Sequence, residues 1–421
     1  MSTRLVPREE AREAGAARNL SSLGRWALAG RLKALEHGEL TIVEGSTRHV
    51  FGARAADGLR ATIEVRDPQF WSDVAFGGTV GAGESYIHGS WSSDDLTALV
   101  RLMVRNRTAM SALEGGLARL TGPISRLLHW LARNTRAGSR RNIAAHYDLG
   151  NDFFRLMLDE TMAYSCGIYA SPETSLHAAQ LAKFDAVCQK LDLKPGEHLL
   201  EIGTGWGGFA LHAARHYGCK VTTTTISSEQ HDYAQAAFAR AGLAGTITLL
   251  KEDYRDLRGT YDKLVSIEMI EAVGHRYLDE YFGCCSRLLA SDGAMLIQAI
   301  TIQDQLYEQA LRAVDFIQRF VFPGGFIPGI SAMLESVTRA TDLKLFHLAD
   351  IGPHYATTLA DWRRNFHAHL GAVRALGYPD TFVRLWDYSL SYCEGGFIER
   401  QIGDVQMLLT KPGCRLRPLP A

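Results

Sequence analysis

The run Leu199-Leu-Glu-Ile-Gly-Thr-Gly-Trp-Gly-Gly-Phe209 constrains the fold more than any other stretch. Leu199 to Ile202 suit a buried parallel strand, and Gly203, Gly205 and Gly207 allow a tight turn with close backbone approach by a ligand. From Trp206 onward the pattern is helical. The flanking chain repeats this alternation. A helix to Leu191 leads in, and strands follow at Lys220–Thr225, Thr246–Leu250, Lys263–Ile267 and Ala294–Ile300, with helices at Ser227–Ala241 and Leu278–Leu289. Such alternation predicts a doubly wound α/β sheet. Helices around Leu306–Phe320 and Ser331–Thr341 come next, then late strands at Lys344–Leu348 and Asp404–Leu409, separated by helices at Leu359–Leu370 and Asp380–Tyr392.

At 421 residues the chain exceeds one ordinary core, so two domains are expected. Upstream of the sheet, Arg25–Leu35 reads as a helix and Leu40–Val65 as short strands separated by Gly45, Gly52 and Gly58. Asp94 or Asp95 is placed to cap a helix ending near Arg105. The expected division is a smaller N-terminal α+β domain over 1–110, a linker over 111–145 and the sheet domain over 146–421. No acid occurs between Glu114 and Asp148, where arginines from Arg119 to Arg141 are interspersed with Leu, Ile and Trp. Two readings fit this linker. Arginines attract anionic headgroups while Leu and Trp enter a membrane interface; equally, an interdomain helix packs an apolar stripe and leaves its arginines in solvent.

The balance of 45 basic against 46 acidic residues argues against a nucleic-acid partner or any general polyanion binding. Seven cysteines without a Cys-x-x-Cys pair suggest neither a disulfide framework nor a zinc or other metal site, and a reduced cytoplasm is the simplest compartment. No run of about 18 apolar residues is present, so any membrane contact is expected to be peripheral, at the inner membrane surface.

The glycine turn satisfies two fingerprints. Gly203-x-Gly205-x-x-Gly208 fits a dinucleotide pattern, and Glu201-x-Gly203-x-Gly205-x-Gly207 fits the first motif of S-adenosylmethionine (SAM) methyltransferases. A nicotinamide enzyme usually places an acid about 20 residues past the glycines, at the end of the next strand. Here that strand ends Thr222-Thr-Thr-Thr-Ile226, with Glu229 and Gln230 just beyond, so spacing leaves NAD open. Glu201 at the end of the first strand favours SAM.

Distant segments combine into a more specific pattern. His146-Tyr-Asp-Leu-Gly-Asn-Asp-Phe-Phe154, Tyr164-Ser-Cys166, the glycine turn, Thr225-Ile-Ser-Ser-Glu-Gln230, Asp253-Tyr-Arg-Asp256, Glu271-Ala-Val-Gly274, Phe322-Pro-Gly-Gly325 and His354-Tyr-Ala-Thr-Thr358 occur in one order. This resembles the cyclopropane-fatty-acyl-phospholipid synthase family, which includes the mycolic acid cyclopropane synthases. The likeness is strong over about 140–410 and reaches Gly81–Leu96 through Gly-Glu-Ser-Tyr-x-x-Gly-x-Trp. It implies the class I methyltransferase fold, a seven-stranded sheet whose last strand is antiparallel. The implied reaction transfers the SAM methyl group to a cis double bond of an unsaturated phospholipid acyl chain, then removes a proton as a cyclopropane ring closes. An alkene is a poor nucleophile, so the protein must align the reactants, exclude water and supply a base. In the family that base is thought to be bicarbonate.

Carried onto this chain, the resemblance places Cys166, Glu271, Ile300 and Tyr355 around bicarbonate, Cys166 and Ile300 through backbone groups. For SAM it marks Tyr164 and Ser165 near the carboxylate or sulfonium end. Gly203 and Gly205 lie at the turn with Glu201, Ile226 and Gln230 near ribose and adenine, and Asp253 and Tyr254 near adenine. Homodimerisation is implied by family members alone. Two departures stand out. Many members have His where this chain has Gln298, and a Glu-His pair where it has Glu271-Ala272. Gln298 hydrogen-bonds but cannot titrate, so it can position an anion without relaying a proton, and a related C-methyltransferase making methyl- or methylene-branched chains stays open. Phe316, Phe320, Phe322 and Phe326 are candidates for an acyl pocket, although aromatics at helical spacing equally suit a core.

Overall fold

Gly38–Glu44 (β1) turns at Gly45 into the antiparallel Thr47–Ala53 (β2), while Arg60–Val65 (β3) lies parallel on the other side of β1 and carries Trp91–Ser93 (β4) at its edge. The sheet order is β2-β1-β3-β4. The computed structural model describes residues 21–108 and 149–417, which fall into two compact units, and this sheet belongs to the first. That unit is discontinuous in sequence, because 313–320 and 377–399 join the N-terminal residues. The expected linker over 111–145 lies outside the described residues.

Within the first unit, Phe70–Ile87 is helical with a break at Gly78, whose φ of 58° and ψ of −139° are open to glycine but not to ordinary side chains. Asp95 caps Leu96–Arg105 by accepting from the Ala98 amide at 2.9 Å, and the helix ends where expected. The long helix Asp380–Ile398 packs against it. Glu394 accepts from Thr97 at 3.0 Å, and Glu399 beyond its end receives Arg101 and Arg105 at 2.8 and 2.7 Å. At Gly83 a Cβ would stand 2.2 Å from the Phe316 ring, so only glycine admits that ring.

The second unit holds seven strands: His198–Ile202 (β5), Lys220–Thr224 (β6), Ile247–Leu250 (β7), Tyr261–Ile267 (β8), Leu289–Ile302 (β9), Lys344–Asp350 (β10) and Ile402–Thr410 (β11). Their order is β10-β11-β9-β8-β5-β6-β7, with β11 antiparallel to both neighbours. This is the class I SAM-methyltransferase sheet. Side-chain alternation sends Leu200, Ile202, Leu264, Met295 and Met407 into one core and Leu199, Val221, Val265, Leu296 and Leu408 into another, so both faces are covered. The chain leaves β5 toward β6 on one side and returns through β8 on the other. The crevice beyond the carboxyl ends of β5 and β8 is therefore the switch point where ligands bind in such sheets. Among the described residues no helix is long and apolar enough to cross a membrane.

Candidate active site

Strand register builds the site. Gln298 on β9 stands opposite Gln406 on β11, and Asp404, two residues from Gln406, shares its face. Ile267, the last residue of β8, pairs with Gln298, so the next residue, Glu268, emerges beside it at the carboxyl edge. The Glu268 amide still bonds the Gln298 carbonyl at 2.8 Å, yet its φ is 46°, a left-handed conformation uncommon for a residue with a side chain. That backbone turns a carboxylate toward three donors. Oε1 accepts from the Cys166 amide and Gln298 Nε2, both at 2.8 Å, and Oε2 accepts from the Tyr355 hydroxyl at 2.6 Å.

Gln298 is the hub of this cluster. Its Nε2 also donates to Asp404 Oδ2 at 3.1 Å, and its Oε1 accepts from Gln406 Nε2 at 3.0 Å. Gln406 in turn accepts from Lys190 Nζ at 2.7 Å. The two carboxylates fix the amide orientation, since a flip would set oxygen against oxygen. About two turns before Lys190 on the helix Leu176–Lys190, Lys183 is fully buried and donates to Ser165 Oγ at 2.6 Å. Burial lowers the Lys183 pKa, and Glu268 is the largest charge acting the other way.

Glu271 lies on the 3₁₀ turn Ile270–Ala272 and accepts from the Ile300 amide at 2.6 Å. Its Oε2 is buried without a hydrogen-bond partner among the described residues. Burial, then the charge of Glu268, pushes Glu271 up to about 8. Burial likewise drives Asp404 well above the carboxylate range, with Glu268 adding to the effect. The Cys166 thiol is raised by burial, so it stays protonated, and Tyr355 is raised by burial and Glu268, so it stays a donor.

Of the five residues expected around the anion, Cys166, Gln298 and Tyr355 meet at Glu268, a residue absent from that expectation, while Ile300 bonds Glu271. Bicarbonate at the place the resemblance implies would take the Cys166 amide, the Tyr355 hydroxyl, the Gln298 amide and the Ile300 amide. Glu268 takes the first three and Glu271 the fourth. The residues present do not fit a separate bicarbonate. Two signals for the missed groups were visible in sequence. Glu268 ends the apolar run Leu264–Ile267, and Lys183 sits with Gln180 inside the buried stripe of helix Leu176–Lys190.

The SAM-side residues line the carboxyl ends of β5, β6 and β7. Gly203, Gly205 and Gly207 have φ of 104°, 53° and 90°, and a Cβ on Gly205 would meet nothing within 4 Å, which leaves that backbone open to a ligand. Glu201 is buried and accepts from Thr223 at 2.5 Å; burial pushes it up to about 8. Gln230 accepts from Thr225 Oγ1 at 2.9 Å through Oε1, a bond that does not use its Nε2. Ile226 lies two residues past the end of β6. Asp253 is engaged by the Arg255 guanidinium at 2.8 and 2.7 Å, and Arg255 lies over the Tyr254 ring. Ser165 sits between Cys166 and Tyr164, whose ring stacks on Trp362 with centroids 5.0 Å apart and meets Phe154 edge-on at 5.4 Å. The turn accommodates SAM: its backbone is half-buried with open space at Gly205, and buried acceptors stand behind it. Of the four acyl-pocket candidates, Phe322 and Phe326 lie in this unit, with Phe322 6.5 Å from Tyr164. Phe316 and Phe320 belong to the first unit, where Phe316 is core against Tyr388.

Comparison with known proteins agrees with this geometry. Residues 134–407 match the family described as Mycolic acid cyclopropane synthetase. The chain is 37% identical over 354 residues to tuberculostearic acid methyltransferase UfaA1 of Mycobacterium tuberculosis, covering 80% of each. It is 34% identical over 353 residues to the cyclopropane-fatty-acyl-phospholipid synthase of Escherichia coli, covering 83% of this chain and 88% of that one. Among solved structures, the mycolic acid cyclopropane synthase CmaA1 complexed with SAH and CTAB superposes with a TM-score of 0.61 at 32% identity, over 65% of this chain and 98% of that chain.

Proposed function

The chain belongs to the mycolic acid cyclopropane synthetase family, and from that membership we propose that this SAM-dependent methyltransferase converts cis double bonds of unsaturated phospholipid acyl chains into cyclopropanes. The observation that carries the reading is the acid cluster beside the glycine turn, with an aromatic wall next to it. SAM supplies a methyl group activated by a sulfonium. The open backbone at Gly205, with Gly203 before it and Gln230, Ile226 and Asp253-Tyr254 beyond it, holds the donor. Tyr164, Trp362 and Phe322 offer π faces that favour cationic charge and shed water. Tyr355, whose ring meets Trp362 edge-on at 6.0 Å, links that wall to the acid cluster.

The first unit and the basic linker would seat the enzyme on the membrane. Trp26, 77% exposed on the helix 21–32 beside Leu23, is an apolar side chain suited to an interface. A second reading, a methyl- or methylene-branching C-methyltransferase, is favoured by Gln298, which cannot relay a proton, and by the name of the 37% identical relative.

Expression in a bacterium without its own synthase, followed by lipid mass spectrometry, tests the proposal. The expected product is a phospholipid chain heavier by one CH2 per double bond consumed, with cyclopropane protons in its NMR spectrum. Unchanged acyl masses from protein shown to bind SAM would remove the lipid assignment; vinylidene or methyl-branch signals would select the second reading.

A further inference from the structure

We infer that Glu268 is the enzyme's own proton acceptor, a side-chain carboxylate built into the position expected for bicarbonate. The inference rests on the proposed olefin chemistry. A carboxylate and bicarbonate present the same planar O–C–O edge, so donors arranged for one suit the other. Here the donors are already satisfied: the Cys166 amide and Gln298 Nε2 on Oε1, the Tyr355 hydroxyl on Oε2. The Ile300 amide is held by Glu271.

Three observations separate this from a merely structural acid. The first is backbone conformation: Glu268 occupies φ 46°, which glycine adopts freely and a residue with a side chain adopts only under strain. Strain of that kind is tolerated where a site needs the group it carries. Accessibility is the second. Cys166, Gln298 and Asp404 are buried, whereas Glu268 is only half-buried. Location is the third: β8 and β5 are neighbours, and a Cβ on Gly203 would lie 3.3 Å from Met269, the residue after Glu268. Glu268 thus stands beside the turn assigned to the methyl donor.

The electron count closes. The alkene π pair forms a C–C bond to the methyl as the C–S bond breaks with its electrons on sulfur. A C–H bond of that methyl then breaks, its pair closes the ring on the cationic carbon, and the proton goes to a Glu268 oxygen. Gln298 and Tyr355 position this carboxylate; they do not exchange the proton themselves. Tethering the base also frees turnover from the carbon dioxide content of the medium.

The test combines turnover with binding. Wild-type turnover of an unsaturated phospholipid is expected to be the same in carbon-dioxide-depleted buffer as with added bicarbonate. Glu268→Gln, isosteric but unable to take the proton, should lose about 100-fold or more in kcat, with SAM affinity retained. Glu268→Gly suits the positive φ and vacates the donors, so its turnover should depend on bicarbonate. As a readout apart from activity, 13C-labelled bicarbonate should show NMR line broadening on titration with the glycine variant and none with wild type. Bicarbonate-dependent wild-type turnover, labelled bicarbonate bound by wild type, or a Gln variant within about threefold of wild type would each overturn the inference. If no protein consumes the olefin, the function proposal fails on its own, while the binding comparison still decides who occupies the anion site.

Discussion

Replacing Gln298 with Met keeps the side-chain volume and deletes every polar contact of the hub. Three donor contacts disappear, to Glu268 at 2.8 Å, to Asp404 at 3.1 Å and a long one to the Cys166 carbonyl at 3.5 Å, and Gln406 Nε2 loses its acceptor at 3.0 Å. A hydrogen bond to a charged carboxylate contributes about 1.5–3 kcal/mol, one to a neutral acid about 1 kcal/mol, and an unpaired buried amide costs about 1–3 kcal/mol. Asp404 is pushed toward its neutral form, so its bond counts at the neutral value. Buried methionine returns about 1 kcal/mol through its extra apolar surface. The balance is a loss of about 2.5–6 kcal/mol, which at roughly 2 °C per kcal/mol for a unit of this size lowers Tm by about 5–12 °C. Thermal unfolding followed by near-ultraviolet circular dichroism measures it. A shift under about 2 °C would show that the cluster does not depend on this amide, and the hub assignment would fail. Adding Asp404→Asn should recover part of the loss, because the amide removes an acid that Gln298 no longer separates from Glu268.

Glu271, raised to about 8 from an ordinary 4.5, binds its proton more tightly folded than unfolded, so its stabilisation is full below about 4.5 and is lost as pH rises through 8. Denaturant unfolding at pH 5 and pH 9 should therefore show Glu271→Gln gaining on wild type at the higher pH; a gap that stays constant would refute the assignment. Gln230→Ala should weaken SAM binding about tenfold by calorimetry, the value of one hydrogen bond near 1.4 kcal/mol, and unchanged affinity would return Gln230 to a helix-capping role with Thr225. Trp26→Ser should reduce co-sedimentation with anionic phospholipid vesicles while leaving Tm within about 1 °C, since the ring is exposed; equal co-sedimentation would remove Trp26 from the membrane proposal.

Periodicity carried most of the sheet into view. The runs Leu199–Ile202, Lys220–Thr225 and Lys263–Ile267 differ from the observed strands by at most two residues at an end, because strands buried on both faces are short runs rich in apolar and β-branched residues. The glycine turn was equally legible, since its conformations at Gly203, Gly205 and Gly207 exclude most other residues. The helix Leu306–Phe320 was drawn too long. It breaks into Asp304–Ala310 and Phe316–Phe320, and Phe316 goes to the first unit, an assignment decided by contacts far away in sequence.

The chemistry of the anion site lay beyond local pattern. Residue types alone marked Glu271 and Glu268 alike as acids after an apolar strand. What separates them is β8–β9 register, which sets Glu268 beside Gln298, and a left-handed φ that turns its carboxylate to Cys166 and Tyr355. Those partners are 102, 30 and 87 residues away in the chain. Local sequence dictates which segments are strands and where the glycine turn must be, because propensity and burial act over a few neighbours. Whether a carboxylate meets a donor depends on strand register and on burial of both partners, and these exist only once the sheet has closed.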